Sequence, residues 1–385
     1  MSHAVQAHAP FSHVPLGPGR WITLGPPLGR GSLATVFRGR TEGPYGVSHA
    51  VAAKVFDAVA SDDRDLAFHV IRRATTRAAM VRHPNVAQMF DLGVECGQTV
   101  RTGELVEGIT LSALMDKLRS AGVRVSLDLA VFIALEVAEG LAAARRAVDQ
   151  DGYALQVVHG DLSMRDVLLS IAGEVKVTDF ELAEARQIST DVRSLRSVAR
   201  RCASMSPEVA CGEGATAESD VFSVGLILHE MLVGPRFSPR VDGREALGMA
   251  RDGILEMTGM RSFPDELSAI MVRAMAVDPR DRYADAGQMA FELRRLSLGL
   301  GVGDERLFLR ELLSKDVEEI TVPRTQPAPG RAPPSRRSES ELRLSRRDDL
   351  PAAARTEPGD TDRPLGFAAD DLLDESDLLE DEAPW

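Results

Sequence analysis

The spacing of apolar residues changes once along this chain, near Gly108, and that change sets the fold class. From Trp21 to about Glu107 the segments WITLGPPLG, ATVFRGR and HAVAAKVF are rich in Val and aromatic residues at roughly alternating positions, and Gly and Pro cut them into short strands. One helical stretch, residues 66–81, lies among them and is closed by the breaker His83-Pro84-Asn85. After Gly108 helical spacing takes over. Its clearest case starts at Ser126, an N-cap residue type, and sets Leu129, Phe132, Ile133, Val137 and Leu141 on one face. A strand pair, VLLS and EVKVTD within residues 167–179, interrupts the run, and helical segments near 219–233, 264–276, 286–297 and 305–313 complete it. A strand-rich part followed by a helix-rich part is the order of an α+β fold, not of alternating βα units.

The chain has 385 residues, 44% apolar and 27% charged, enough for a soluble globular protein with a sizeable core. A net charge of −13 argues against nucleic acid or an anionic membrane surface as a partner. There is no run of 18 apolar residues, so no membrane span is expected. The first residues lack a cationic start with an apolar block, and Cys96, Cys202 and Cys211 have neither metal-ligand nor redox spacing. A cytoplasmic protein is expected, with Cys202 an ordinary buried cysteine.

The charge is unevenly placed. Residues 366–385 hold eight acids and no bases, with Leu372, Leu373, Leu378 and Leu379 set among them in the near-repeat DDLLDE, SDLLED. This acidic tail is read first as a solubilising end, with a docking segment that folds on a protein partner as the alternative. Residues 321–365 hold nine Arg, seven acids and eight of the 21 prolines without one aromatic, a composition that cannot bury enough apolar surface to offset ordering. The expected organisation is a flexible segment 1–20, a small lobe 21–108, a larger lobe 109–315, a disordered linker 316–365 and the tail 366–385.

Several short segments carry chemistry. Gly29-Arg30-Gly31-Ser32-Leu33-Ala34-Thr35-Val36 lies between two predicted strands, where glycines without side chains let backbone N–H groups approach phosphates; a plain hairpin turn is the alternative. Lys54 stands on a strand 23 residues after Gly31, from where its ammonium could reach the same phosphates. Downstream, His159-Gly160-Asp161-Leu162-Ser163-Met164-Arg165-Asp166 is followed, 18 residues after Asp161, by Asp179-Phe180-Glu181. Ser206-Pro207-Glu208, a block opening at Asp220 and ending at Gly225, and Asp278-Pro279-Arg280-Asp281-Arg282-Tyr283 come after.

In this order the blocks resemble the catalytic loop, metal-binding motif and structural motifs of protein kinases, most closely the bacterial serine/threonine kinases of eukaryotic-like type. The resemblance covers roughly residues 21–315 and implies a two-lobed kinase-like fold, a small antiparallel-sheet lobe with one helix and a larger helical lobe. It implies ATP and Mg2+ as cofactors. Gly29, Gly31, Val36 and Lys54 would hold the nucleotide, Asp166 and Asp179 the metal, and Asp161 would be the catalytic base. It also implies that Asp220 braces the backbone around His159 and that Glu208 pairs with Arg282.

The departures from that pattern are as informative as the matches. Ala34 replaces a glycine of the phosphate loop, Asp166 the family's asparagine, Gly160 the arginine that would bind a phosphorylated activation loop, and Glu181 the glycine after Asp179-Phe180. The helix glutamate that orients the strand lysine falls at Ala74, no glutamate occurs between Glu42 and Glu95, and Arg72, Arg73 and Arg77 are expected to add positive charge around Lys54. Arg200 and Arg201 occupy positions that shape the peptide-substrate platform. The chain is therefore read as a pseudokinase or very weak kinase working through nucleotide and protein binding. An active serine/threonine kinase is the alternative. A small-molecule phosphotransferase of the aminoglycoside or choline kinase type, which shares the wording His-Gly-Asp and Asp-Phe-Glu, is a second.

Overall fold

The computed structural model describes residues 13–31, 33–57, 64–180, 195–238, 240–255, 263–301 and 303–314. Six strands form the first lobe: β1 (His13–Gly17), β2 (Arg20–Arg30), β3 (Ala34–Glu42), β4 (Ser48–Phe56), β5 (Met89–Glu95) and β6 (Gln98–Glu104). Helix α1 (Arg64–Ala79) joins β4 to β5. The sheet is antiparallel throughout, in the order β1-β2-β3-β4-β6-β5. Cys96 and Gly97, both with positive φ (51° and 76°), make the two-residue turn that matches strand twist between β5 and β6. Alternating residues of the strands, Val14, Ile22, Leu24, Phe37, Val51, Ala53, Val55 and Val100, fill one buried face.

Of the segment 1–20 expected to be flexible, residues 1–12 lie outside the described residues, and His13–Gly17 forms β1, which pairs with β2 and also lies against β5, so the two ends of the sheet meet. Gly93 permits this: a side chain there would run into the Pro15 carbonyl oxygen. Arg20 at the start of β2 and Asp91 of β5 add an ion pair beside that seam.

The second lobe begins with β7 (Gly108–Thr110), which pairs with β8 (Val167–Ser170) and β9 (Val175–Val177). Helices α2 (Leu111–Ser120) and α3 (Leu127–Arg146) are each N-capped, by Thr110 Oγ1 on the Ala113 N–H (3.1 Å) and by Ser126 Oγ on the Leu129 N–H (3.2 Å). Then follow α4 (Leu195–Cys202), α5 (Pro207–Ala210), α6 (Ala217–Leu232), α7 (Gly243–Arg251), α8 (Asp265–Ala274), α9 (Ala286–Leu300) and α10 (Glu305–Ser314). Helices α3 and α6 are buried nearly all round and pack on each other, with Leu129, Ile133, Val137, Val221, Phe222 and Leu228 in the core. Cys202 is buried, as expected, and burial pushes its thiol pKa up. Among the described residues no helix is long and apolar enough to cross a membrane. The linker and the acidic tail lie outside the described residues.

The pairing expected between Glu208 and Arg282 is present and bidentate, at 2.7 and 2.8 Å, with the arginine side chain wholly buried. Arg282 also donates to the carbonyls of Ala276, Val277 and Glu218, and Glu208 accepts from Ser219 Oγ (2.7 Å). One pair thus ties α5 to α6 and to the turn before α9. Removing one partner leaves the other buried and uncompensated, so Glu208→Ala is expected to cost about 3–5 kcal/mol in urea unfolding. Arg280→Ala, which loses only the solvent-exposed pair with Asp278, is expected to leave the midpoint nearly unchanged.

Candidate active site

The site grows from one row of residues across the sheet. Register places Gly29 opposite Val36, Val36 opposite Lys54, Lys54 opposite Arg101 and Arg101 opposite Leu92. Residues directly opposite on neighbouring strands share a face, so Lys54 and Arg101 point the same way from β4 and β6. Both are buried, at 5% and 7% exposure. Like charges facing each other on a sheet repel, and a carboxylate from the second lobe offsets this. Asp179 Oδ1 lies 2.8 Å from Lys54 Nζ and 3.1 Å from an Arg101 terminal nitrogen. Burial alone would raise the Asp179 pKa; Lys54 and Arg101 overcome it and hold the carboxyl well below the usual range.

At the edge of the row the β2–β3 turn is closed by the Gly31 N–H donating to the Ala34 carbonyl (2.8 Å). A side chain at Gly29 would meet nothing within 4 Å, so the backbone there is open to a ligand. Ala34 is buried at the start of β3.

Below the row, the loop between α3 and β8 is held by Asp220 of α6. Its two carboxylate oxygens accept the backbone N–H groups of His159 and Gly160, both at 2.8 Å. This is the bracing expected of Asp220. Gly160 has φ +74°, a conformation that costs glycine nothing. The His159 Nε2–H donates to the Thr178 carbonyl (2.8 Å), and its ring packs on Phe180 at 4.9 Å between centroids. Asp166 accepts from the Ser163 N–H (2.8 Å) and Oγ–H (2.7 Å), and its carbonyl accepts from the Thr178 N–H (2.9 Å). Burial pushes the Asp166 carboxyl up to about 6; His159 draws it down, while the charges of Asp179 and Asp161 push it further up. Asp161 is half-buried and stands close enough to act on Asp166.

The sequence-predicted site residues thus fall on one strand row, the turn beside it, the loop between α3 and β8, and, for Asp179, the segment after β9. Two features differ from expectation. Of the α1 arginines expected near Lys54, Arg72 and Arg73 are exposed, and Arg77 donates to the Leu155 carbonyl (2.7 Å). The cation beside Lys54 is Arg101, which sequence reasoning missed; its signal was a charged residue inside the strand QTVRTGE. Ala74 is buried on α1 and offers no carboxylate.

The glycine turn and Lys54 suit a nucleotide's phosphates. Magnesium is commonly held by one or two carboxylates together with phosphate oxygens and waters, and Asp179 with Asp166 would be that pair. Asp179 Oδ1 already carries two cations, Asp166 Oδ2 is taken by Ser163, and among the described residues no group of three or more His, Cys, Asp or Glu could hold a metal ion.

Asp166 gives a pH test. Its folded pKa lies above the unfolded value of 3.8, so its ionisation opposes folding: stability is full below about pH 4 and falls as pH rises through about 6. Asp166→Asn keeps an acceptor for Ser163 and removes the charge. It is expected to stabilise the protein by about 1–3 kcal/mol at pH 7.5 and by nearly nothing at pH 4, measured by urea unfolding at both.

Comparison with known proteins agrees with this geometry. A family model described as "Protein tyrosine and serine/threonine kinase" matches residues 22–286. The chain is 28% identical over 300 residues to a probable serine/threonine-protein kinase PknB of Lactococcus lactis, covering 77% of this chain and 44% of that one. It is 30% identical over 268 residues to the tyrosine-protein kinase MasK of Myxococcus xanthus, covering 68% and 41%. The chain spans less than half the length of these curated relatives. Among solved structures, the PknI kinase domain of Mycobacterium tuberculosis superposes with a TM-score of 0.52 at 21% identity, covering 74% of this chain and 99% of that one. Its two lobes, an antiparallel sheet with one helix and a helical body, are those of the protein-kinase fold, and the chain belongs to the protein tyrosine and serine/threonine kinase family, with its bacterial Hanks-type serine/threonine members among the curated relatives.

Proposed function

We propose that this chain is a pseudokinase or very weak kinase that acts in signalling by binding a nucleotide and a protein partner. One observation carries the reading: Lys54 is held by Asp179 together with Arg101, and the helix position that would orient it is Ala74. Phosphoryl transfer asks the protein for positioning and charge neutralisation. Here the carboxylate that would carry the metal contacts two side-chain cations through Oδ1, and the helix position that would orient the lysine is an alanine.

An ATP-dependent serine/threonine kinase is the second reading, and the intact brace of Asp220 on His159 and Gly160, with Asp161 next in the loop, favours it. The buried Glu208–Arg282 pair supports either protein-kinase reading over a small-molecule phosphotransferase. In the favoured reading the glycine turn and Lys54 hold the nucleotide, and Asp161 is a remnant base.

The test is transfer of the ATP γ-phosphate to the chain itself and to a generic protein substrate. Wild type is expected to give the same background as Asp161→Asn. Transfer well above background that disappears in Asp161→Asn would establish the active kinase instead.

A further inference from the structure

We propose that the acidic tail of this chain docks on the exposed face of its own α9, with Leu372 and Leu379 on Phe291 and Leu298 and the acids between them on Arg294 and Arg295. The contact lies apart from the nucleotide site and stands whether or not phosphate is transferred.

Phe291 and Leu298 are 67% and 76% exposed, more than any other large apolar side chain of the described helices. They lie seven residues apart, so two helical turns set them about 10 Å from each other on one face, with Arg294 and Arg295 between. Arg294 pairs with Glu139 of α3 (2.7 Å) and Arg295 with Glu292 (2.9 Å). In each pair the guanidinium is the outer member, at 58% and 69% exposure against 22% and 28% for the carboxylates. Glu292, the one acid of α9, is half-buried, so the helix shows the outside an apolar, a cationic and again an apolar surface. Ion pairs this exposed contribute about 0.2–1 kcal/mol, and a guanidinium has five N–H donors, so a second carboxylate can share each arginine at little loss.

The tail carries the complementary order. Residues 372–379 read Leu-Leu-Asp-Glu-Ser-Asp-Leu-Leu, in which Leu372 and Leu379 are again seven apart and Asp374, Glu375 and Asp377 fill the interval. Coiled into a helix on contact, the segment sets Leu372, Glu375 and Leu379 on one face at the spacing of Phe291, the two arginines and Leu298. A second copy of α9 fits badly, because a two-fold axis midway between Phe291 and Leu298 sets arginines against arginines. The tether is long enough. Helices α9 and α10 both pack on α3, and Ser314 at the end of α10 stands 58 residues before Leu372. A disordered linker of that length spans about 40 Å on average and keeps its two ends at an effective concentration on the order of millimolar.

The experiment follows amide hydrogen exchange of residues 372–379 in the full chain by mass spectrometry. Exchange is expected to be at least about fivefold slower than in a free peptide of the same sequence, unchanged when the protein is diluted about tenfold, and faster at high salt. Phe291→Ser with Leu298→Ser, and separately Arg294→Gln with Arg295→Gln, are expected to return the segment to the free-peptide rate. Both pairs change exposed side chains, so the urea midpoint is expected to move little. Exchange at the free-peptide rate in wild type would overturn the inference and leave the tail a solubilising end. Slow exchange that survives both double variants would place the tail elsewhere and overturn it too. Slow exchange that is lost on dilution would overturn it in favour of a contact between copies.

Discussion

A carboxylate held between two cations is the contact on which the site turns. Lys54 and Arg101 come from neighbouring strands of the first lobe, and Asp179 comes from the segment after β9 in the second. The two lobes meet again just beside it, where the Val177 N–H donates to the Asn85 carbonyl and the Ala87 N–H to the Val177 carbonyl, at 2.8 and 2.9 Å. Asn85 reaches on to the Val175 carbonyl and to Glu136 of α3. Charge and backbone pairing therefore fix the same junction, and the orientation of the strand row toward the loop between α3 and β8 follows from both.

Much of this was legible in the sequence because it follows from local chemistry. Ser126 marks the start of α3 because its hydroxyl can satisfy an orphan N–H, and the long apolar runs of α3 and α6 declare buried helices. Asp220, Glu208 and Arg282 were legible for a different reason: their motif blocks matched a known family, and the structure gives each the contact that the match implied. Arg101 was not legible in the same way. Nothing within β6 says which residue of β4 it will face, since that depends on register across β4 and β6, which sit far apart in sequence. The strand β1 was hidden because His13–Gly17 has too few apolar residues to announce itself, and its place is made by a glycine some eighty residues on.

The electrostatics of the loop follow one pattern. Asp220 and Asp166 are both buried and both raised by burial, and each is given two hydrogen-bond donors: backbone N–H groups for Asp220, the N–H and hydroxyl of Ser163 for Asp166. Asp179 alone has full countercharges, and it alone is lowered. Three aspartates brought together by the fold thus occupy two electrostatic situations, and position in a motif does not by itself say which of them is ready to take a cation.

The seam between β1 and β5 has a consequence for association. An open sheet ends in unpaired backbone groups that invite a strand from another chain. In this lobe the two terminal strands face each other, with the Pro15 carbonyl seated over Gly93. Each edge therefore has the other packed against it, which hinders a strand from another chain from adding there.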